Sequence, residues 1–455
     1  MTNKIVITPE AKVVQVQQSY YLPVSVIVPK ITIPVETNYC FLSRVDPWPD
    51  NNTPPTPTVD QKSRKAIFKN MFVVKKVATS DISPVIQRID WKSGIVYDYY
   101  RDDIDMLEKD ENDNLVLNFY VKNKYDQVFK CLWNGNGLPA TDEPMFTPGT
   151  YGTNNIYNGS DGYKWKFIYS IDSGLKTKFM DTKWLPVSVT TNSLNPLTSP
   201  AGTGNIEVIN VYEGGSGYDS ANATIFVTIT GDGNGATAIA NTSNGSIIDV
   251  IVTNPGANYT YANVTISSAL GSNVVAYGNT SPVGGHGFDP ISELGCSHVM
   301  YSIQFNGSEG GEIPTDIDFH QLGLVVNPTA LQTTPEPANG NIYRTTTDFV
   351  VAAGFGAFLK DEIIYQGSSF AGATFTAKVL SFDVATNLLR LINITGSPTL
   401  NGSVYGNSSS TARTLLTVSY PNFVILSGYL AYIENRESIQ RSADGIEQYR
   451  FVLGY

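Results

Sequence analysis

Three histidines, three cysteines and 41 acidic residues are the raw material for chemistry in this 455-residue chain. His286 opens GGHGFDPISELG, where Asp289 and Glu293 offer the donor types that could join it around an ion. The Gly and Pro content of that stretch favours an ordered loop, and no metal is expected. His298 and His320 fall in apolar strands, where an imidazole is expected to pack or to face a partner. Asp110, Asn112 and Asn114 have the odd-position spacing of a calcium loop. The sixth place lacks Gly, however, and Val121 stands at the twelfth, where a bidentate Glu belongs. A solvated turn is expected.

Two glycine-rich stretches invite a ligand. GGSGYDSAN (214–222) resembles one nonapeptide of a calcium-binding β-roll, but such rolls need tandem copies. GDGNGAT (231–237) lies between two strands and has no following Lys-bearing helix to cradle phosphate. Both read as tight turns that need positive φ. The acidic neighbours Asp102/Asp103 and Asp361/Glu362 point to opposite faces of any strand, so neither forms the facing pair a glycosidase needs. No catalytic residue and no cofactor is expected, and the chain reads as a non-enzyme.

The elements that would carry any function are mainly β. Charged residues are only 16% of the chain, whereas Tyr, Gly, Asn, Thr and Ser abound, as in proteins that bury much of their surface against other subunits. A net charge of -11 repels phosphate backbones, so nucleic acid is not an expected partner. Three widely spaced cysteines suit a reduced compartment and buried, unpaired thiols. The start MTNKIVITPEAKVVQ carries no signal-peptide pattern, and no apolar run reaches the length of a membrane span, so no membrane partner is expected.

Residues 1–203 read as a β-rich domain with few short helices. The proline-punctuated run Tyr21 to Ile33 reads as edge strands or an extended arm. FLSRVDPWPDNNTPPTPTVDQ (41–61) follows, and its Asp46 to Thr58 part should run as a polyproline-like strap. A helix over Gln61 to Asn70 is expected next, N-capped by Asp60, with Ala66, Ile67 and Phe68 on its apolar side. Strands are expected over Met71 to Val77, VIQRIDW, GIVYDYY, the hairpin NFYVKNKYDQVFKCLW and Lys164 to Ile171.

Residues 204–280 read as an inserted β domain built on a repeat. IEVINVYEGGSGYDSANATI (206–225) aligns without gaps on IIDVIVTNPGANYTYANVTI (247–266), a period of 41 residues. Each unit runs strand, Gly-rich turn ending in Tyr218 or Tyr259, strand. Residues 281–335 return to the main composition, 336–416 read as a second insert forming a small barrel or sandwich, and 417–455 close the chain on strands. The fold expected is a multi-domain, β-sandwich-rich architecture with two inserted small β domains.

FLSRVDPWPDNNTPPTPT, FKNMFVVKKV, ISPVIQRIDWKSGIVYDYYRDDIDM, YVKNKYDQVFKCLWN and YKWKFIYSIDSGLKTKFMDTKWLPV closely resemble the N-terminal part of one family. It is the dimeric baseplate wedge subunit of T-even-type contractile-tailed bacteriophages, and GGHGFDPISELG and YIENRESIQRS resemble its later part. The likeness covers roughly residues 35–190, 284–328 and 418–455. It implies a structural virion protein of the tail baseplate, assembled in the host cytoplasm, that homodimerises and binds other wedge proteins. The two inserts depart from the shorter family members. The alternative weighed beside it is a receptor- or glycan-binding tail protein, with Tyr218 and Tyr259 as stacking surfaces. Candidate partner anchors are Trp48, Trp91, Tyr97, Tyr99, Tyr100, Trp133, Trp165 and Arg436, the aromatic ones equally able to be core.

Overall fold

A computed structural model describes residues 37–58, 60–148, 155–188, 204–331 and 334–454. The run Tyr21 to Ile33 and Tyr455 lie outside the described residues. The first strand, β1 (Asn38–Ser43), leads through the strap to α1 (Gln61–Asn70), β2 (Met71–Lys76) and β3 (Ile82–Gln87). Asp60 caps α1 by accepting the N–H groups of Lys62 and Ser63, which fixes its start. Ile67 and Phe68 are buried, but Ala66 is exposed, because only one turn of this otherwise polar helix meets the core.

A hairpin of β4 (Tyr120–Lys122) and β5 (Gln127–Asn134) turns at residues 123–126, with Asp126 at φ 58°. After it come β6 (Ile156–Asn158), β7 (Tyr163–Ser170), α2 (Ser173–Phe179) and β8 (Trp184–Pro186). GIVYDYY forms no ladder strand. Its backbone bonds go to separate segments, Asp98 N–H to the Asn118 carbonyl and Tyr100 N–H to that of Cys131. VIQRIDW likewise leaves the sheet after Gln87.

The repeat supplies β9 (Ile209–Ser216), β10 (Phe226–Gly231), β11 (Asn234–Ser243), β12 (Ser246–Ala257), β13 (Ala262–Ser267) and β14 (Ser272–Gly278). Next are α3 (Pro290–Glu293), β15 (His298–Asn306), β16 (Asp318–Val326), β17 (Thr329–Leu331), β18 (Pro335–Pro337) and β19 (Ile342–Arg344). The barrel strands are β20 (Thr347–Val351), β21 (Ile363–Gln366), β22 (Phe375–Asp383), β23 (Leu388–Gly396), β24 (Ser403–Gly406) and β25 (Ala412–Ser419), and the chain ends on β26 (Tyr429–Gln440) and β27 (Ile446–Gly454).

The fold is mainly β and antiparallel, and its chain forms two compact units. Among the described residues, no helix is long and apolar enough to cross a membrane.

One unit holds Ser83–Tyr301 with 451–454. Its sheet β4–β5–β7–β6 packs Val121, Phe129, Trp165 and Phe167 into a core with Tyr97 and Phe146. Val85, Phe179 and Met300 also pack together in this unit. The repeat forms a two-layer sandwich, sheet β11–β12–β9–β14 against β10–β13. Exchanging β9, β10 and β11 for β12, β13 and β14 leaves both strand orders unchanged, so the two halves are related by a pseudo-twofold axis.

The halves interlock through their tyrosines. Tyr218 N–H donates to the Gly245 carbonyl and Tyr259 N–H to the Gly204 carbonyl, two bonds related by the same 41-residue shift. A Cβ on Gly271 would strike the ring of Tyr218, and one on Gly233 that of Tyr259, so each tyrosine is seated on a glycine of the other half. Tyr218 and Tyr259 are buried, and neither offers a stacking surface.

The other unit holds 37–82 with Ser302–Arg450. Its five-stranded sheet runs β19–β2–β1–β16–β26, over a core that includes Tyr39, Phe41, Phe68 and Tyr343. Residues 342–344 belong to this sheet, as β19 pairs with β2, and the insert proper is a closed six-stranded barrel, β20–β23–β22–β21–β24–β25. Phe349, Leu389 and Leu391 are among the side chains that fill it.

Candidate functional site

Lys130, on β5 between two buried neighbours, is itself buried, which is costly for a cation without a partner. Its partners come from GGHGFDPISELG. Lys130 Nζ lies 3.0 Å from Glu293 Oε1, the same oxygen sits 2.6 Å from His286 Nδ1, and Gly287 N–H donates to Glu293 Oε2 at 2.5 Å. The ammonium also lies 3.8 Å from the centroid of the Tyr100 ring, whose edge-on neighbour is His286 at 4.8 Å. Beside this set, Lys166 on β7 donates to Glu207 of the repeat domain at 2.7 Å, and both side chains are buried.

Burial works against the charged carboxylate of Glu293, but Lys130, His286 and the Gly287 N–H outweigh it and hold its pKa well below the usual carboxylate range. Burial, reinforced by Lys130, holds the pKa of His286 below its ordinary value. Burial also lowers that of Lys130, with Glu293 opposing. The arrangement is an ionic clasp: Lys130 and the His286 imidazole meet one Glu293 carboxylate oxygen and tie loop to hairpin, and the Lys166–Glu207 pair beside it reaches the insert.

Asp289 does not join His286. It caps α3, accepting from Ile291 and Ser292 N–H, a role set by its place just before Pro290. His298 contacts Asp113 at 2.9 Å and lies against Trp184, and His320 is buried with its ring nearly perpendicular to that of Trp48. Asp110 accepts the N–H groups of Asn112 and Asn114, the work of a turn. The acidic neighbours act separately. Asp102 accepts from Thr280 and Tyr277 while Asp103 pairs with Arg101, and Asp361 binds Arg44 while Glu362 holds the Ser408–Ser409 turn.

The eight anchor candidates fall into different settings. Trp165, Tyr97 and Trp133 are buried in their unit, with Tyr163 stacked on Trp165 and Tyr97 edge-on to it. Trp91 packs half-buried against the same core. Tyr99 and Tyr212 both pack edge-on against Trp133, and their hydroxyls meet at 2.9 Å, which joins the repeat domain to β5. Tyr100 donates to the Thr280 carbonyl at 3.1 Å and serves the clasp. In the other unit, half-buried Trp48 donates its indole N–H to the Arg436 carbonyl at 2.7 Å, while the Arg436 side chain pairs with Glu434 at 2.8 Å.

Sequence reasoning missed Lys130, Lys166 and Glu207, together with Arg44, whose guanidinium grips Asp361 through two bonds and pairs with Asp318. It also missed Arg441, fully buried between Glu447 and the carbonyls of Pro314 and Gly307. The available signal was a lysine inside an otherwise apolar run, as in QVFKCLW. No protein-family model matches the chain, and no curated protein matches it.

Proposed function

We propose that this protein is a structural, non-enzymatic subunit of a phage tail baseplate wedge, which pairs with a second copy and binds other wedge proteins during baseplate assembly in the host cytoplasm. One observation carries the reading. The clasp draws its members from four separate segments that bear the family likeness, with Tyr100 from GIVYDYY, Lys130 from YVKNKYDQVFKCLWN, Lys166 from YKWKFIYSIDSGL and His286 with Glu293 from GGHGFDPISELG. Segments far apart in sequence thus serve one rigid internal tie, as a load-carrying part requires. The glycan-binding alternative leaned on Tyr218 and Tyr259, and both rings lie inside the repeat domain. The test is the mass of the purified chain by analytical ultracentrifugation, with co-expression beside other wedge proteins. A dimer that enters a wedge complex is expected; a monomer that enters none overturns the proposal.

A further inference from the structure

β26 is the outermost strand of its sheet and is paired on one side only, to β16. Alternate N–H and C=O groups of such a strand point into the open and can template another chain. Opposite His320 the register slips: Phe319 faces Ile439 and Gln321 faces Asn435, so Arg436, Glu437 and Ser438 bulge against one residue.

The strap lies on this bulge. Trp48 Nε1 donates to the Arg436 carbonyl at 2.7 Å, Ser438 N–H donates to Asn51 Oδ1 at 2.9 Å, and Asn435 Nδ2 donates to the Pro55 carbonyl at 2.7 Å. Two of these bonds take outward main-chain groups of β26 with side chains. The strap does not become a strand, and Pro47, Pro49, Pro54, Pro55 and Pro57 have no N–H with which to extend the ladder further. A segment that occupies an edge without continuing it blocks pairing there.

The geometry points to the strap as a guard that keeps β26 from pairing antiparallel with the β26 of a second copy. A second copy fits because the segment is self-complementary. Pairing about Asn435, with the bulge at 436–438 drawn out into regular strand, sets Glu434 of each copy against Arg436 of the other, Tyr432 against Ser438 and Ile433 against Glu437, with no like charges facing. Within one chain Glu434 and Arg436 already attract, at 2.8 Å. The inference stands on the sheet edge and not on the wedge reading.

The test compares the full chain with Trp48→Ala/Asn51→Ala by sedimentation equilibrium over a range of concentrations, with far-UV circular dichroism as the check of folding. The double variant is expected to reach twice the weight-average mass of the wild type. Adding Glu434→Arg, which sets arginine against arginine, should return it to the wild-type mass, and further adding Arg436→Glu should restore the doubling. A double variant of wild-type mass overturns the inference, as does a mass increase that Glu434→Arg leaves in place. Should the double variant unfold, Asn51→Ala alone decides: it removes only an exposed acceptor, and it must show a concentration-dependent rise in mass or the inference fails. The wild-type mass itself reports on the wedge dimer, so the two ideas fail separately.

Discussion

Lys130 Nζ and Glu293 Oε1 are 3.0 Å apart, and each side chain is only 2% exposed, so the cation beside His286 is supplied by the chain itself. Removing one member strands the other charge in the interior, at a cost of about 3–5 kcal/mol. Lys130→Met should therefore lower stability by about that amount. Lys130→Met/Glu293→Leu should recover only part of the loss, because the Gly287 N–H and His286 lose their acceptor. Denaturant midpoints of the three proteins check both statements.

Stability should fall on mild acidification. Burial, with Lys130 beside it, depresses the folded-state pKa of His286, and burial does the same for His320. The unfolded chain therefore binds protons near the ordinary histidine pKa of about 6.5 while the folded one still resists. The stabilisation is complete above that pH and is lost as pH falls toward the depressed folded values. Melting temperature should drop between about pH 7 and 5.5. The drop should be smaller in His320→Gln, whose side chain carries no titrating group.

Trp48→Ala should lower the melting temperature of the isolated chain. The indole N–H bond to Arg436 and the contact with His320 are both internal to one unit. A half-buried tryptophan with one hydrogen bond is worth about 2 kcal/mol here, less than the full cost of a core Trp→Ala change. Differential scanning calorimetry reads the change. An unaltered melting temperature would mean that the strap does not brace its unit.

Gly233→Ala and Gly271→Ala should destabilise the repeat domain to similar degrees. Each new methyl meets the tyrosine ring of the opposite half, and overpacking of this kind costs about 1–3 kcal/mol. Limited proteolysis should cut both variants within 204–281 faster than the wild type.

Much of the fold was legible because it follows from local chemistry. Asp60 and the polar run after it specify α1, and apolar runs specify β2, the β4–β5 hairpin and β7. The 41-residue repeat made the likeness of its two halves legible, and the strand orders follow the same exchange. GIVYDYY misled because an apolar run with the right period forms a ladder only if one neighbour accepts all its bonds, and here the neighbours are several. The clasp was half legible. His286 and Glu293 stand seven positions apart, but Lys130 reaches them from 163 residues away in sequence, through a pairing that no local pattern encodes.

The seating of Tyr218 on Gly271 and of Tyr259 on Gly233 makes each half of the repeat depend on the other. A lone 41-residue half would leave its tyrosine uncovered and its partner glycine unfilled, so it closes a core only beside a second half. Because the two halves lie in one chain, their meeting is intramolecular, at the high effective concentration that a covalent link provides. Each half therefore constrains the other through the glycine under its tyrosine ring, where a Cβ would strike the ring.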